Sequence, residues 1–144
     1  MKYDNYLKTE FPSRSVNEAV ARSLVGAFAA QLDPTMEQLG DLKTAVSEAV
    51  TNAIVHAYPD SLGRIALRCR ILEGGVLEIR IRDWGRGIEN VEQARTPLFT
   101  TGGEERSGMG FTIMESFMDT LSVRSRPGQG TTITMRRRLP GRQQ

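Results

Sequence analysis

The segment SEAVTNAIVHAY, residues 47–58, sets Glu48, Asn52 and His56 four residues apart within a run that is otherwise Ala, Val and Ile. On a helix, residues at that spacing stack on one face, and Val46, Val50, Ala53, Ile54 and Ala57 take the opposite, apolar one. The chemistry available is specific. The Asn52 amide oxygen suits a hard cation that keeps waters and phosphate oxygens as its other ligands. The Glu48 carboxylate could take the proton of a hydroxyl attacking phosphorus, and His56 could orient either group. A solvated stripe gives the same pattern, so this segment decides nothing alone.

Two further segments carry chemistry. DWGRGIEN, residues 83–90, follows an alternating run and ends it with a carboxylate at Asp83 beside Gly85 and Gly87. A carboxylate accepts hydrogen bonds, so it would select a ligand edge that donates, such as the exocyclic amine of adenine. An Asp-Gly turn explains the same residues. RSGMGFTIMESF, residues 106–117, leads through Ser107, Gly108 and Gly110 into an apolar helix. Free backbone N–H groups at the start of a helix favour anions, and glycines let a phosphate approach the chain. No G-x-x-x-x-G-K-[ST] loop is present.

The elements that must position these groups read as follows. Residues 4–11 form a strand, and Ser15-Val16-Asn17-Glu18 is a capping-box pattern opening a helix to about Leu32. Asp33-Pro34 reads as the N-cap of a second helix that runs toward Ala57, with Gly40 as a point of disturbance. Ile65–Leu72 and Val76–Arg82 alternate around the hairpin turn Gly74-Gly75. Asp83–Ser107 reads as a long loop and Gly108–Asp119 as a third helix. Strands Leu121–Ser125 and Thr131–Arg138 flank a turn at 126–130. Helices and hairpins without regular βαβ alternation argue for an α+β fold: a two-layer sandwich with one mixed, mainly antiparallel sheet and helices on one face.

The chain has 144 residues, 39% hydrophobic and 25% charged, which fits one domain spanning 1–144. No apolar run is long enough to span a membrane, and no signal peptide opens the chain. A single cysteine, Cys69, suits a reducing cytoplasm and reads as core filler. A formal net charge of +2 does not call for a polyanionic partner. The arginines from about Arg136 onward, with Arg137, Arg138 and Arg142, lack interleaved aromatics and read as a basic, solubilising tail rather than a DNA-binding element.

In their order along the chain, the three segments resemble the N, G1 and G2 boxes of the GHKL ATP-binding superfamily. SEAVTNAIVHAY, TPLFTT and ERSGMGFTIMESFMD are most similar to the small anti-sigma factors of spore-forming bacteria that are also serine kinases. The resemblance runs from about Phe11 to Met135. It implies that ATP or ADP binds with Mg²⁺, that Asn52 holds the metal, and that Glu48 is the catalytic base. It further implies that Asp83 reads adenine, that Gly85, Gly87 and Ile88 shape the floor, and that Thr131 lies beside Asp83. Residues 96–106 resemble the ATP lid, with Thr100 and Thr101 near the nucleotide, and Arg106 is placed to neutralise charge on the transferred group. Ser107, Gly108, Met109, Gly110 and Phe111 would cradle phosphates.

The implied partners are a sigma factor of RNA polymerase and an anti-anti-sigma protein whose serine is the substrate, with a homodimer as the assembly and Arg22 as a partner-binding residue. A general stress-response anti-sigma factor and a nucleotide-dependent binding module without transfer are the alternatives. A histidine-kinase module is disfavoured, since His56 is the only histidine. Two features depart from the relatives: Gly102-Gly103 replaces the usual Lys-Pro after the lid threonines, and Trp84, Arg86 and Glu89 replace the usual G1-box residues.

Overall fold

The computed structural model describes residues 3–96 and 109–140. Among the described residues five strands and four α-helices alternate irregularly: β1 (Tyr3–Pro12), α1 (Asn17–Ala29), α2 (Met36–Thr51), β2 (Arg64–Leu72), β3 (Val76–Asp83), α3 (Val91–Arg95), α4 (Gly110–Phe117), β4 (Thr120–Arg126) and β5 (Gly130–Arg138). A 3₁₀ turn (Ala30–Leu32) follows α1, and a π-helical segment (Asn52–Ala57) prolongs α2.

The strands make one sheet in the order β1-β2-β3-β5-β4. Every described pairing is antiparallel, so the antiparallel part of the expectation holds and no parallel pair accompanies it. Odd-numbered positions point to the helices: Ile65, Leu67, Cys69, Leu77, Ile79, Ile81, Ile133 and Met135 are all buried. They pack against Val25 and Ala29 of α1, Leu42, Val46 and Val50 of α2, and Met114 of α4. Helices thus cover one face, and the molecule is the two-layer α+β sandwich anticipated. Burial pushes the Cys69 thiol up to about 12, so it stays protonated core filler.

The Gly74-Gly75 hairpin forms as read, both residues having positive φ (86° and 74°) as the turn demands. Helix starts differ. No side-chain cap opens α1; its N-cap is Val16, and the Asn17 and Glu18 amides instead donate to the Arg14 and Ser15 carbonyls of the preceding turn. Asp33 ends the 3₁₀ turn at φ 51° rather than capping α2. That cap is Thr35, which makes a reciprocal capping box with Gln38. Gly40 leaves α2 unbroken.

The segment read as a loop after Asp83 contains α3, capped by Asn90 accepting from the Gln93 amide. The arginines expected to begin a tail belong to β5: Arg136 pairs with Glu78, and Arg137 bridges Asp41 of α2 to the Phe117 carbonyl at the end of α4. Arg142 lies outside the described residues.

Candidate active site

Glu48 and Asn52 lie one turn apart where α2 passes into the π-helical segment. The Asn52 amide donates to both the Glu48 and Ala49 carbonyls. Both side chains are half-buried, as is His56. His56, however, sits in i→i+5 geometry, so the stripe does not continue in α-helical register to its third member. Such π turns occur most often at functional positions. The Glu48 carboxylate reaches the start of α4, where a Cβ placed on Gly110 would sit 3.4 Å from its Oε1. The first and third sequence segments therefore meet.

Asp83 ends β3 with 3% exposure. Its Oδ1 accepts from the Gly85 amide at 2.9 Å and from the Thr131 amide at 3.2 Å. Among the described residues Oδ2 has no such donor, which leaves it able to accept from a ligand. Burial lifts the Asp83 carboxyl above the ordinary carboxylate value, and the two amides offset part of that rise.

The glycines of this segment are spaces rather than ornaments. A Cβ on Gly85 would overlap the Ala57 carbonyl, which accepts from the Arg86 amide at 3.1 Å, so the π segment and the loop after β3 touch backbone to backbone. Gly87 (φ 76°) stands in the same relation to the Arg126 carbonyl, and Gly130 (φ 111°) to that of Asp83. Ile88 packs against the core, and its amide donates to Ser125 Oγ at 2.8 Å. A cleft of about 470 Å³ opens at the ends of β3, β4 and β5, lined by Asp83, Ser125, Gly130 and Thr131 together with Arg82 and Arg124 from the sheet side turned away from the helices; Glu48, Asn52 and Gly110 do not line it.

The remaining expected residues divide. Met109 is the N-cap of α4 and partly exposed, while Phe111 is buried in the core beneath it. Thr100, Thr101, Arg106, Ser107 and Gly108 lie outside the described residues. Arg22 is on α1, with its Nε 3.2 Å from Glu18, which also accepts from the Ser47 hydroxyl.

Two supports escaped the sequence reading. Ser125 joins Ile88, the Gly130 carbonyl and the Thr131 hydroxyl. Tyr58 accepts the Trp84 amide at 2.6 Å and donates to the Arg64 carbonyl at 2.7 Å. The Trp84 ring lies against two guanidinium groups, Arg64 at 3.7 Å and Arg82 at 4.5 Å. A serine near a strand end and a tyrosine after a helix carry no periodicity signal, and only the fold discloses them.

The arrangement fits a nucleotide: an acceptor free on one oxygen, a floor with no room for Cβ atoms, and a carboxylate beside a glycine-led helix start. Among the described residues no group of three or more His, Cys, Asp or Glu could hold a metal ion. The half-buried Asn52 side chain, one turn from Glu48, offers a single amide oxygen, a donor type that hard cations accept.

Known proteins agree. The family described as histidine kinase-like ATPase domain matches residues 11–137. The chain is 55% identical over 136 residues to the anti-sigma F factor of Caldanaerobacter subterraneus subsp. tengcongensis, covering 94% of each chain. It is 52% identical over 136 residues to that of Geobacillus kaustophilus, covering 94% of this chain and 93% of the relative. A solved structure of the RsbU and RsbW domains of a Mycobacterium tuberculosis protein superposes with a TM-score of 0.69 at 20% identity, over 94% of this chain and 32% of that one. The mycobacterial sensor histidine kinase MprB superposes at 0.58 and 21%, over 94% and 99%. At those identities the structures speak for the fold alone. No described helix is long and apolar enough to cross a membrane.

Proposed function

The chain belongs to the anti-sigma F factor family of histidine kinase-like ATPase domains, and from that premise we propose that it binds and inhibits a sporulation sigma factor and uses ATP to phosphorylate a serine of that factor's anti-anti-sigma antagonist. The observation that carries the nucleotide reading is Asp83: a buried carboxylate held on Oδ1 by two amides, with Oδ2 left to accept from an adenine amine. Glu48, beside Gly110, supports the transfer.

In this mechanism Asp83 orients the base, Ile88 packs beside it, and the segment leading into α4 receives the phosphates. Asn52 would hold Mg²⁺, which neutralises charge on the phosphate oxygens. The serine oxygen attacks the γ-phosphorus while Glu48 takes its proton. The new O–P bond forms as the bond to the β–γ bridging oxygen breaks, and ADP departs with that electron pair. Arg106 is assigned to the charge that develops on the transferred group, and Arg22 to partner contact. Sigma binding and transfer would then share one nucleotide-organised domain, acting as a homodimer.

The test mixes purified protein with labelled ATP, Mg²⁺ and candidate sigma and anti-anti-sigma partners. Phosphoserine on the antagonist, with nucleotide-dependent sigma capture, is the expected result. ATP binding and sigma capture without phosphoserine would leave a nucleotide-dependent binding module instead.

A further inference from the structure

The even-numbered side of the sheet faces away from the helices, and no described element covers it. It carries Arg68, Arg70, Arg80, Arg82 and Arg136 on the three central strands, and Arg124 on β4. Among the described strand residues two carboxylates stand against them, Glu78 and Glu10, besides Asp4 at the bulge of β1. Glu78 is spent: it is 1% exposed, with Oε1 accepting from Arg68 and Arg70 at 2.9 and 2.8 Å and Oε2 from Arg136 at 2.9 Å. Glu10, on the edge strand, pairs with Arg64 at 3.7 Å. Since the whole chain has a formal net charge of only +2, positive charge is segregated onto this face.

Its centre is electrostatically unfinished. Arg68 and Arg80 are direct cross-strand partners, a like-charge arrangement that costs stability. The Nε atoms of both are buried and lack a hydrogen-bond partner among the described residues. Burial and then the neighbouring Arg68 charge hold Arg80 below the ordinary arginine value. Buried donors of this kind are normally satisfied, and a carboxylate oxygen is a group that suits a guanidinium.

We propose that this arginine face docks an acidic stretch of a partner protein, whose carboxylates complete the Arg68–Arg80 pair and extend toward Arg124. Planar guanidinium groups pair carboxylates through two parallel bonds, and arginine is enriched where proteins meet. A second copy would set the same arginines against each other. Five strands spaced by about 4.8 Å are too broad for a major groove of roughly 12 Å, which admits a two-stranded ribbon. Stacking single-stranded bases needs a row of open aromatic platforms, whereas here Tyr6 is on the edge strand β1 and the Trp84 ring, just past β3, already lies against Arg64 and Arg82.

Three labelled probes test this on the full chain: a helical peptide with glutamates along one face, its glutamine counterpart, and a short DNA duplex. The glutamate peptide should bind, more weakly as salt rises, and the glutamine peptide should not. Arg80→Gln should weaken binding about tenfold while thermal stability holds or rises, because a like-charge pair is relieved. Arg80→Lys should restore only part, and Arg124→Gln, at an exposed position, should weaken binding without touching the centre. Equal binding of the two peptides, or tighter binding of the duplex at the same salt, overturns the proposal. So does sedimentation showing that Arg80→Gln turns a dimer into a monomer, which would place the face between copies.

Discussion

Asp83 and Thr131 are cross-strand partners on β3 and β5, and the Thr131 amide donates to Asp83 Oδ1 at 3.2 Å. The sheet register itself therefore aims the site's buried carboxylate. Asp83→Asn keeps an oxygen for the Gly85 and Thr131 amides but turns an NH₂ group toward the ligand. ATP affinity should fall about 10- to 150-fold, the value of a charged hydrogen bond. Calorimetry that finds unchanged affinity removes Asp83 from the adenine site.

The pH dependence of that variant has a definite sign. Burial raises the Asp83 carboxyl in the fold, so ionising it is harder folded than unfolded, and the native chain loses stability as pH rises from the ordinary carboxylate value through the raised one. Asp83→Asn should abolish that loss and melt at the same or a higher temperature at neutral pH. A lower melting temperature there would show that the charge, rather than the oxygen, holds the loop.

Glu78 has the opposite sign. Burial pushes its carboxyl up, but the bonds from Arg136, Arg70 and Arg68 outweigh this and leave it lowered. Its contribution is present above the ordinary carboxylate value and is lost as pH falls through the lowered one. Glu78→Gln should cost about 1.5–3 kcal/mol at neutral pH and flatten the acid limb of a denaturation series. An acid limb equally steep in wild type and Glu78→Gln would contradict this.

Glycine substitutions should divide by backbone geometry. At Gly130, φ is 111° and a Cβ would overlap the Asp83 carbonyl; Gly130→Ala should lose more than about 1 kcal/mol and weaken ATP binding with it. At Gly40, in the middle of α2, nothing lies within 4 Å, so Gly40→Ala should gain about 0.5–1 kcal/mol. Denaturant midpoints decide both.

Glu48→Ala separates a kinase from a binding module. Serine phosphorylation should drop about 10²- to 10⁴-fold, whereas ATP affinity should hold or rise slightly as a negative charge leaves the phosphates. Near-normal transfer removes Glu48 as the base, and lost ATP binding moves it to the metal site.

Local signals carried much of this fold. Alternation in Ile65–Leu72 and the paired glycines at 74 and 75 announced a hairpin because strand period and turn conformation are properties of neighbouring residues. Asp33-Pro34 misled because Thr35, one residue on, had Gln38 to complete a capping box, and which cap wins depends on where the preceding turn ends. The π segment was invisible: Asn52–Ala57 shows ordinary helical periodicity, and its contact with the loop at Gly85 is between residues far apart in sequence. The arginines of β2, β3 and β5 read singly as solvated positions or as a tail. Only the pairing register gathers them onto one face.

Trp84 follows Asp83 directly and is the chain's only tryptophan. Because its ring lies against Arg64 and Arg82 and its amide is held by Tyr58, the molecule carries a built-in optical gauge one residue from the carboxylate proposed to read adenine. Its emission can time nucleotide arrival and departure in a stopped-flow instrument without any label, giving rate constants where partner assays give only endpoints.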